Sequence, residues 1–282
     1  MEDGRRRRKA VLQEKKYFLF DIDGTLAVDD TLFDGSRELI EYINAVGGKS
    51  FYITNNSMKS RKDYVKKFAR WGIETEESQF MTASYAACRY LAQNYQGKKL
   101  FVLGTPSFVE EVKSFGLKVT DQAEEDVACV VVGFDSTLDY PKVEKACQLL
   151  FRPEVDYIGT NPDLRCPTAY GFMPDCGGIC QMLNVTTDRE PLYIGKPNKE
   201  IVFMCMEQVG ADKREILVAG DRLYTDIACG INAGVETALV YTGEAKAEDL
   251  AKTSYQPDYI YRNIRELYEA FRAELENSKA RE

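Results

Sequence analysis

The chain of 282 residues contains no histidine. That one absence removes Ser-His-Asp and Cys-His nucleophile systems, phosphohistidine chemistry, His-ligated zinc and the HExxH metalloproteases together. Chemistry here has to run on carboxylates, lysine, hydroxyls or thiols. A surplus of positive charge is lacking as well. The net charge of −8 argues against a nucleic-acid scaffold, which shows a basic face able to displace phosphate counterions. The one basic run, Arg5 to Arg8 with Lys9, reads as part of a solvated, disordered arm over residues 1–14. No stretch approaches the roughly 18 apolar residues of a membrane span, and the start has no apolar secretion core. A cytoplasmic protein with no membrane or nucleic-acid partner is therefore expected. The eight cysteines form no metal or disulfide pattern. Cys88, Cys129, Cys147, Cys205 and Cys229 sit in apolar patterns and read as buried reduced thiols. Cys176 and Cys180, with Cys166 upstream, have no paired second half, and no cysteine opens a C-x5-R phosphatase loop.

What is present is enough apolar sequence, 44% of residues, to bury a core, in one large or two modest domains. Short apolar runs ending in polar residues alternate with amphipathic helical spacing. Runs at Tyr17–Phe20, Ser50–Ile53, Leu192–Ile194, Ile216–Ala219 and Glu236–Val240 read as buried strands of a parallel α/β sheet. Gly48-Lys49-Ser50 imitates a Walker loop, but Ile43 stands where its first glycine belongs, and the motif precedes a strand instead of following one. The segment from Thr54 to Leu192 is far longer than a βα crossover needs. Strand-like runs at 100–103, 127–133 and 157–160 and helix-like runs at 107–115, 141–151 and 176–184 make it a folded insertion. The fold class expected is thus α/β, a Rossmann-like parallel-sheet core of residues 15–83 and 190–282 with an inserted smaller α/β cap of residues 84–189.

Strand 17–20 runs directly into Asp21-Ile22-Asp23-Gly24-Thr25. In extended backbone residues i and i+2 point the same way, so both carboxylates face one crevice at the strand's carboxyl end, where open α/β sheets place their ligands. An Asp-Gly turn alone would look the same. The other strands decide between the two, because each delivers a polar group at its carboxyl end. Strand 50–53 ends in Thr54-Asn55-Asn56-Ser57, which suits an anion. Strand 192–194 ends in Gly195-Lys196-Pro197, and strand 216–219 in Gly220-Asp221, with Asp226 a helical turn on.

These four segments, in this order, resemble the four motifs of the haloacid dehalogenase superfamily, in its phosphatase branch. Thr54-Asn55-Asn56-Ser57, Gly159-Thr160-Asn161-Pro162-Asp163 and Ile194-Gly195-Lys196-Pro197 look like the NagD or 4-nitrophenylphosphatase group, whose α/β cap is inserted between the second and third motifs. The resemblance covers about residues 15–265. It implies a Mg2+-dependent phosphatase of small organic monophosphates. Asp21 is then the nucleophile and Asp23 the general acid and base, while Thr54, Asn55, Asn56 and Lys196 bind phosphate. Four carboxylates could not stay ionised in one crevice without a cation. By family analogy Asp21 gives a side-chain oxygen to the metal, Asp23 its backbone carbonyl and Asp221 a carboxylate, with Asp226 supporting through water or hydrogen bonds. The loop holding Asn161 and Asp163 is the candidate for reading the substrate beyond its phosphate, or else an ordinary Asn-Pro-Asp turn. The partner implied is a small phosphorylated metabolite, with a homo-oligomer left open. A phosphotransferase and a non-catalytic phospho-ligand or phospho-acceptor protein are the rival readings, and Asp23, an acid beside the nucleophile, weighs against the latter.

Overall fold

The computed structural model describes residues 11–168 and 170–280. The basic run at Arg5–Lys9 lies outside them. Leu12–Glu14, assigned above to the disordered arm, form a 3-10 turn whose Leu12 is buried. The described residues fall into two compact units, one up to Phe51 and again from Val202, the other Tyr52–Ile201. These divisions differ from the boundaries predicted at 83/84 and 189/190, because residues 52–83 and 190–201 pack with the inserted segment.

The first unit is a parallel sheet in the order Tyr259–Tyr261, Glu236–Val240, Ile216–Gly220, Tyr17–Phe20 and Lys49–Thr54, the division passing through the last strand. Strand Tyr17–Phe20 lies beside Ile216–Gly220 with Tyr17 opposite Ile216 and Phe20 opposite Ala219. Its Phe18, Leu19 and Phe20 are all buried, the mark of a parallel strand covered on both faces. Helices Ser36–Ala45 and Ile264–Lys279 cover one face. Phe271 from the second meets Phe18 edge-on, with ring centroids 4.8 Å apart, and also packs on Tyr42. The charged helix Ile264–Lys279 thus covers the sheet.

In the second unit residues 52–54 pair in parallel with Phe80–Thr82; the Tyr52 and Tyr64 rings stack on Phe80, and Phe68 meets it edge-on. A five-stranded parallel sheet follows the order Leu192–Tyr193, Asp156–Gly159, Val127–Val132, Lys99–Leu103 and Lys118–Thr120. Helices Pro106–Ser114, Tyr140–Leu150 and Cys176–Thr187 belong to it, and Arg165–Thr168 pairs with Gly171–Pro174 as a hairpin. The fold class is α/β with parallel sheets, as expected. One strand is placed otherwise than predicted: Leu192–Tyr193 is the edge of this second sheet and not a member of the first. Tyr193 lies opposite Gly159, where a Cβ would come within 2.6 Å of the tyrosine ring. The missing side chain on the neighbouring strand is what admits it.

Candidate active site

In the first unit three strand ends build one cluster. Strand Tyr17–Phe20 delivers Asp21, whose N–H donates to the Ala219 carbonyl at 2.9 Å and continues the ladder by one residue. Gly24 then turns the chain away at φ +101°, and a Cβ there would meet the Asp221 carboxylate at 2.8 Å. Strand Ile216–Gly220 delivers Asp221, and a single π-helical turn, Leu223–Ile227, carries Asp226 back toward it. The Arg222 N–H donates to Asp226 Oδ2 at 3.0 Å.

The third strand end carries no motif that the sequence announces. After Glu236–Val240 the chain passes through Thr242, Gly243 and Glu244. The Thr242 hydroxyl donates to the Gly24 carbonyl at 2.7 Å, and the Glu244 N–H donates to Asp221 Oδ2 at 2.8 Å. Gly243 runs so close that a Cβ would lie 1.9 Å from Asp221 Oδ2. The Thr25 hydroxyl reaches Asp221 Oδ1 at 3.1 Å. Asp221 therefore receives donors on both oxygens. Thr25 could have been suspected from its place beside the first motif. The Glu244 contribution is a main-chain N–H, which no residue type reveals.

Asp21, Asp221 and Asp226 are buried, and one carboxylate oxygen of each lies within 4.8 Å of those of the other two. Burial, and next the charge of Asp226, push the Asp221 carboxyl up to about 6. Such a cluster is costly unless a cation shares it. The all-oxygen donor set suits a hard divalent ion. Asp226 sits in this trio by its own carboxylate. Asp23 contributes no side-chain oxygen to it and is half-buried in a turn that bridges to Ala27.

In the second unit the residues around Thr54 form another buried cluster. The Thr54 hydroxyl accepts from the Asn56 N–H at 3.1 Å, and Asn56 Oδ1 accepts from the Met58 N–H at 3.0 Å. Both contacts fold the strand end into a turn. Asn55 Oδ1 accepts from the Lys196 N–H at 2.8 Å, while Asn55 Nδ2 donates to the Lys196 carbonyl at 3.0 Å and to Asp163 Oδ2 at 3.1 Å. The buried Lys196 ammonium donates to the Ile53 carbonyl at 3.0 Å. Asn161 is held between the Thr160 hydroxyl and Asp175. Ser57, the last residue of that segment, joins the strand end to the second sheet through the Thr160 hydroxyl at 2.7 Å and the Phe134 N–H at 2.8 Å. The structure thus draws Asn55, Lys196 and Asp163 together next to Thr54, and commits Asn56 to its own turn and Asn161 to the helix cap Asp175.

A family profile described as haloacid dehalogenase-like hydrolase matches residues 18–118, and a related HAD-hydrolase-like profile matches residues 193–267. An acid sugar phosphatase of Staphylococcus aureus is 32% identical over 255 residues, covering 90% of this chain and 97% of that protein. Among solved structures, a 4-nitrophenylphosphatase from Thermotoga maritima superimposes with a TM-score of 0.85 at 35% identity, covering 92% of this chain and 98% of its own. NagD from Escherichia coli gives 0.79 at 30%, covering 89% and 98%. The chain belongs to the haloacid dehalogenase-like hydrolase family. Within it, the likeness is to NagD and the 4-nitrophenylphosphatases.

Asp221 makes stability depend on pH with a definite sign. Its carboxyl is raised in the folded state from an ordinary value of 3.8 to about 6. The native state therefore holds a proton that the unfolded chain has released, and the stability this brings is complete below about pH 4 and lost as pH rises through about 6. In EDTA, the Asp221→Asn variant should lack this term. Urea unfolding from pH 4.5 to 7 should show the wild type losing stability relative to the variant, on the order of 2 kcal/mol. Parallel curves would contradict the assignment.

Proposed function

We propose that this phosphatase hydrolyses small organic phosphate monoesters, with sugar phosphates and nucleoside monophosphates as the substrate class, through an aspartyl-phosphate on Asp21. The observation that carries the reading is the buried trio of Asp21, Asp221 and Asp226, with one of its members following directly on the strand that opens the family's profile match. The names of the relatives, an acid sugar phosphatase and a 4-nitrophenylphosphatase, support the substrate class.

A carboxylate oxygen of Asp21 attacks phosphorus, and the bond from phosphorus to the ester oxygen breaks. Asp23 gives its proton to the departing alkoxide. In the second step Asp23, now a carboxylate, takes a proton from water as the water oxygen attacks phosphorus, releasing inorganic phosphate and restoring the Asp21 carboxylate. The half-exposed setting of Asp23, apart from the carboxylate trio, suits a group that must exchange protons twice per turnover. Thr54 accepts the Asn56 N–H, so its own proton can go to a phosphoryl oxygen, and the Lys196 ammonium supplies fixed positive charge. Asp21, Asp221 and Asp226 are the carboxylates that would hold Mg2+, with the Asp23 carbonyl as the further ligand. That ion would neutralise the cluster and offset phosphoryl charge. We assign the chemistry to the unit that holds Asp21 and the enclosure of substrate to segment 84–189, which excludes water from the attack. The free thiols fit a cytoplasmic setting, and the acidic chain fits a small metabolite as partner and not a nucleic acid. Among the described residues no helix is long and apolar enough to cross a membrane.

Asp21→Asn should abolish turnover of any ester while leaving the circular dichroism spectrum and melting temperature close to wild type. Activity retained beyond a trace would move the nucleophile elsewhere. EDTA should stop hydrolysis, with Mg2+ restoring it and Ca2+ restoring it poorly, because Ca2+ takes more ligands at longer distance. Indifference to EDTA would remove the metal from the scheme. Asp23→Asn should cost about a hundred- to ten-thousandfold in kcat/KM on a sugar phosphate and far less on 4-nitrophenyl phosphate, whose phenolate leaves without a proton. Equal losses on both would end its role as acid.

A further inference from the structure

We infer that Asp163 is a positioning residue, whose carboxylate holds the Asn55 amide and through it fixes the backbone of Lys196. The inference rests on the reading of Lys196 as a phosphate ligand. It gives Asp163 a part in the phosphate grip and not in reading the organic half of the substrate.

The geometry leaves the Asn55 amide one orientation. The Lys196 N–H can only donate, so the group facing it is Oδ1, and Nδ2 faces two acceptors, the Lys196 carbonyl and Asp163 Oδ2. One side chain therefore takes both main-chain polar groups of the lysine, much as a neighbouring strand would, and its remaining amide hydrogen goes to Asp163. Gly195 makes the approach possible, since a Cβ there would lie 2.6 Å from Asn55 Oδ1. Asp163 is itself fixed. It is 1% exposed, and its carbonyl accepts from the Gly177 N–H at 2.8 Å, in the first turn of helix Cys176–Thr187. The next residue is tied in the same way, with the Asp175 N–H donating to the Leu164 carbonyl at 3.2 Å. Two residues earlier, Asn161 Nδ2 donates to Asp175, the residue that caps that helix. The loop is thus anchored on both sides of Asp163 to one helix end. The carboxylate becomes a fixed point for Asn55, and Asn55 for the lysine. A buried amide that lost this acceptor would have to turn or shift, and the lysine backbone would follow.

The test is a double-mutant cycle between Asp163 and Lys196, read on 4-nitrophenyl phosphate and on a sugar phosphate, with inorganic phosphate as inhibitor. Asp163→Ala should lower kcat/KM by the same factor on both esters, about ten- to a hundredfold, the scale of a small misplacement of a charged ligand. It should also raise Ki for phosphate. Asp163→Asn keeps an oxygen acceptor for Asn55 and should recover most of the loss. In a Lys196→Met background Asp163→Ala should add little, because the group it positions is gone. An undiminished further loss in that background would overturn the inference while leaving Lys196 in place as a ligand. A loss that differs between the two esters would overturn it in favour of substrate reading by the loop. If Lys196→Met changes neither kcat/KM nor Ki, the reading of Lys196 itself fails. Should Asp163→Ala not fold, Asp163→Ser, too short to reach the amide, takes its place in the same cycle with the same expected and contrary results.

Discussion

Three carboxylates held in a buried space repel one another, and the first unit is arranged around that repulsion. The cluster is assembled from residues far apart in the chain, Asp21 after one strand and Asp221 and Asp226 after another, so folding itself creates the strain. Burial, and next the charge of Asp226, raise the Asp221 carboxyl to about 6. Donors partly relieve the strain: the Thr25 hydroxyl and Glu244 N–H on Asp221, and the Arg222 N–H on Asp226. Neutral donors stabilise negative charge without removing it. A divalent cation would complete what they begin.

The second unit solves the opposite problem, a buried cation. Lys196 is held by its main chain, through a neighbouring side-chain amide, as well as by its own ammonium. A long flexible side chain pinned at the root loses less freedom when it binds an anion than one on a mobile loop. The same logic explains why polar residues near the Thr54 turn are committed to the protein itself. Asn56 and Ser57 use their side chains to shape the strand end and to join it to the second sheet.

Most of this architecture was legible because a buried parallel strand must be apolar along its length and can turn polar only where it leaves the sheet, so a short apolar run followed at once by Asp or Thr marks both the strand and its edge. Strands at 17–20, 216–220 and 236–240 and helices at 106–114 and 140–150 lie within a residue or two of where periodicity puts them. What escaped has identifiable causes. The run at 192–194 reads as a strand, yet which sheet it joins depends on a missing side chain at Gly159, a fact about a neighbour. Glu244 acts through its main chain, and Asn-Pro-Asp at 161–163 reads equally as a turn or a site until its hydrogen bonds are seen. The hairpin at 165–174 leaves no apolar signature, because its strands are short and none of their residues is buried.

The passage of Gly243 against Asp221 separates what evolution can vary from what it cannot. At 243 the constraint is on volume, since any side chain would occupy the space of the carboxylate oxygen. At 244 the constraint on that carboxylate is the presence of an N–H, which every residue except proline carries. The glutamate side chain there is turned to other neighbours, pairing with Arg222 and accepting from Tyr224. Two adjacent positions, both against the same aspartate, are thus free to drift at very different rates: one is frozen by the absence of atoms, while the other can change its side chain without altering its service to the site.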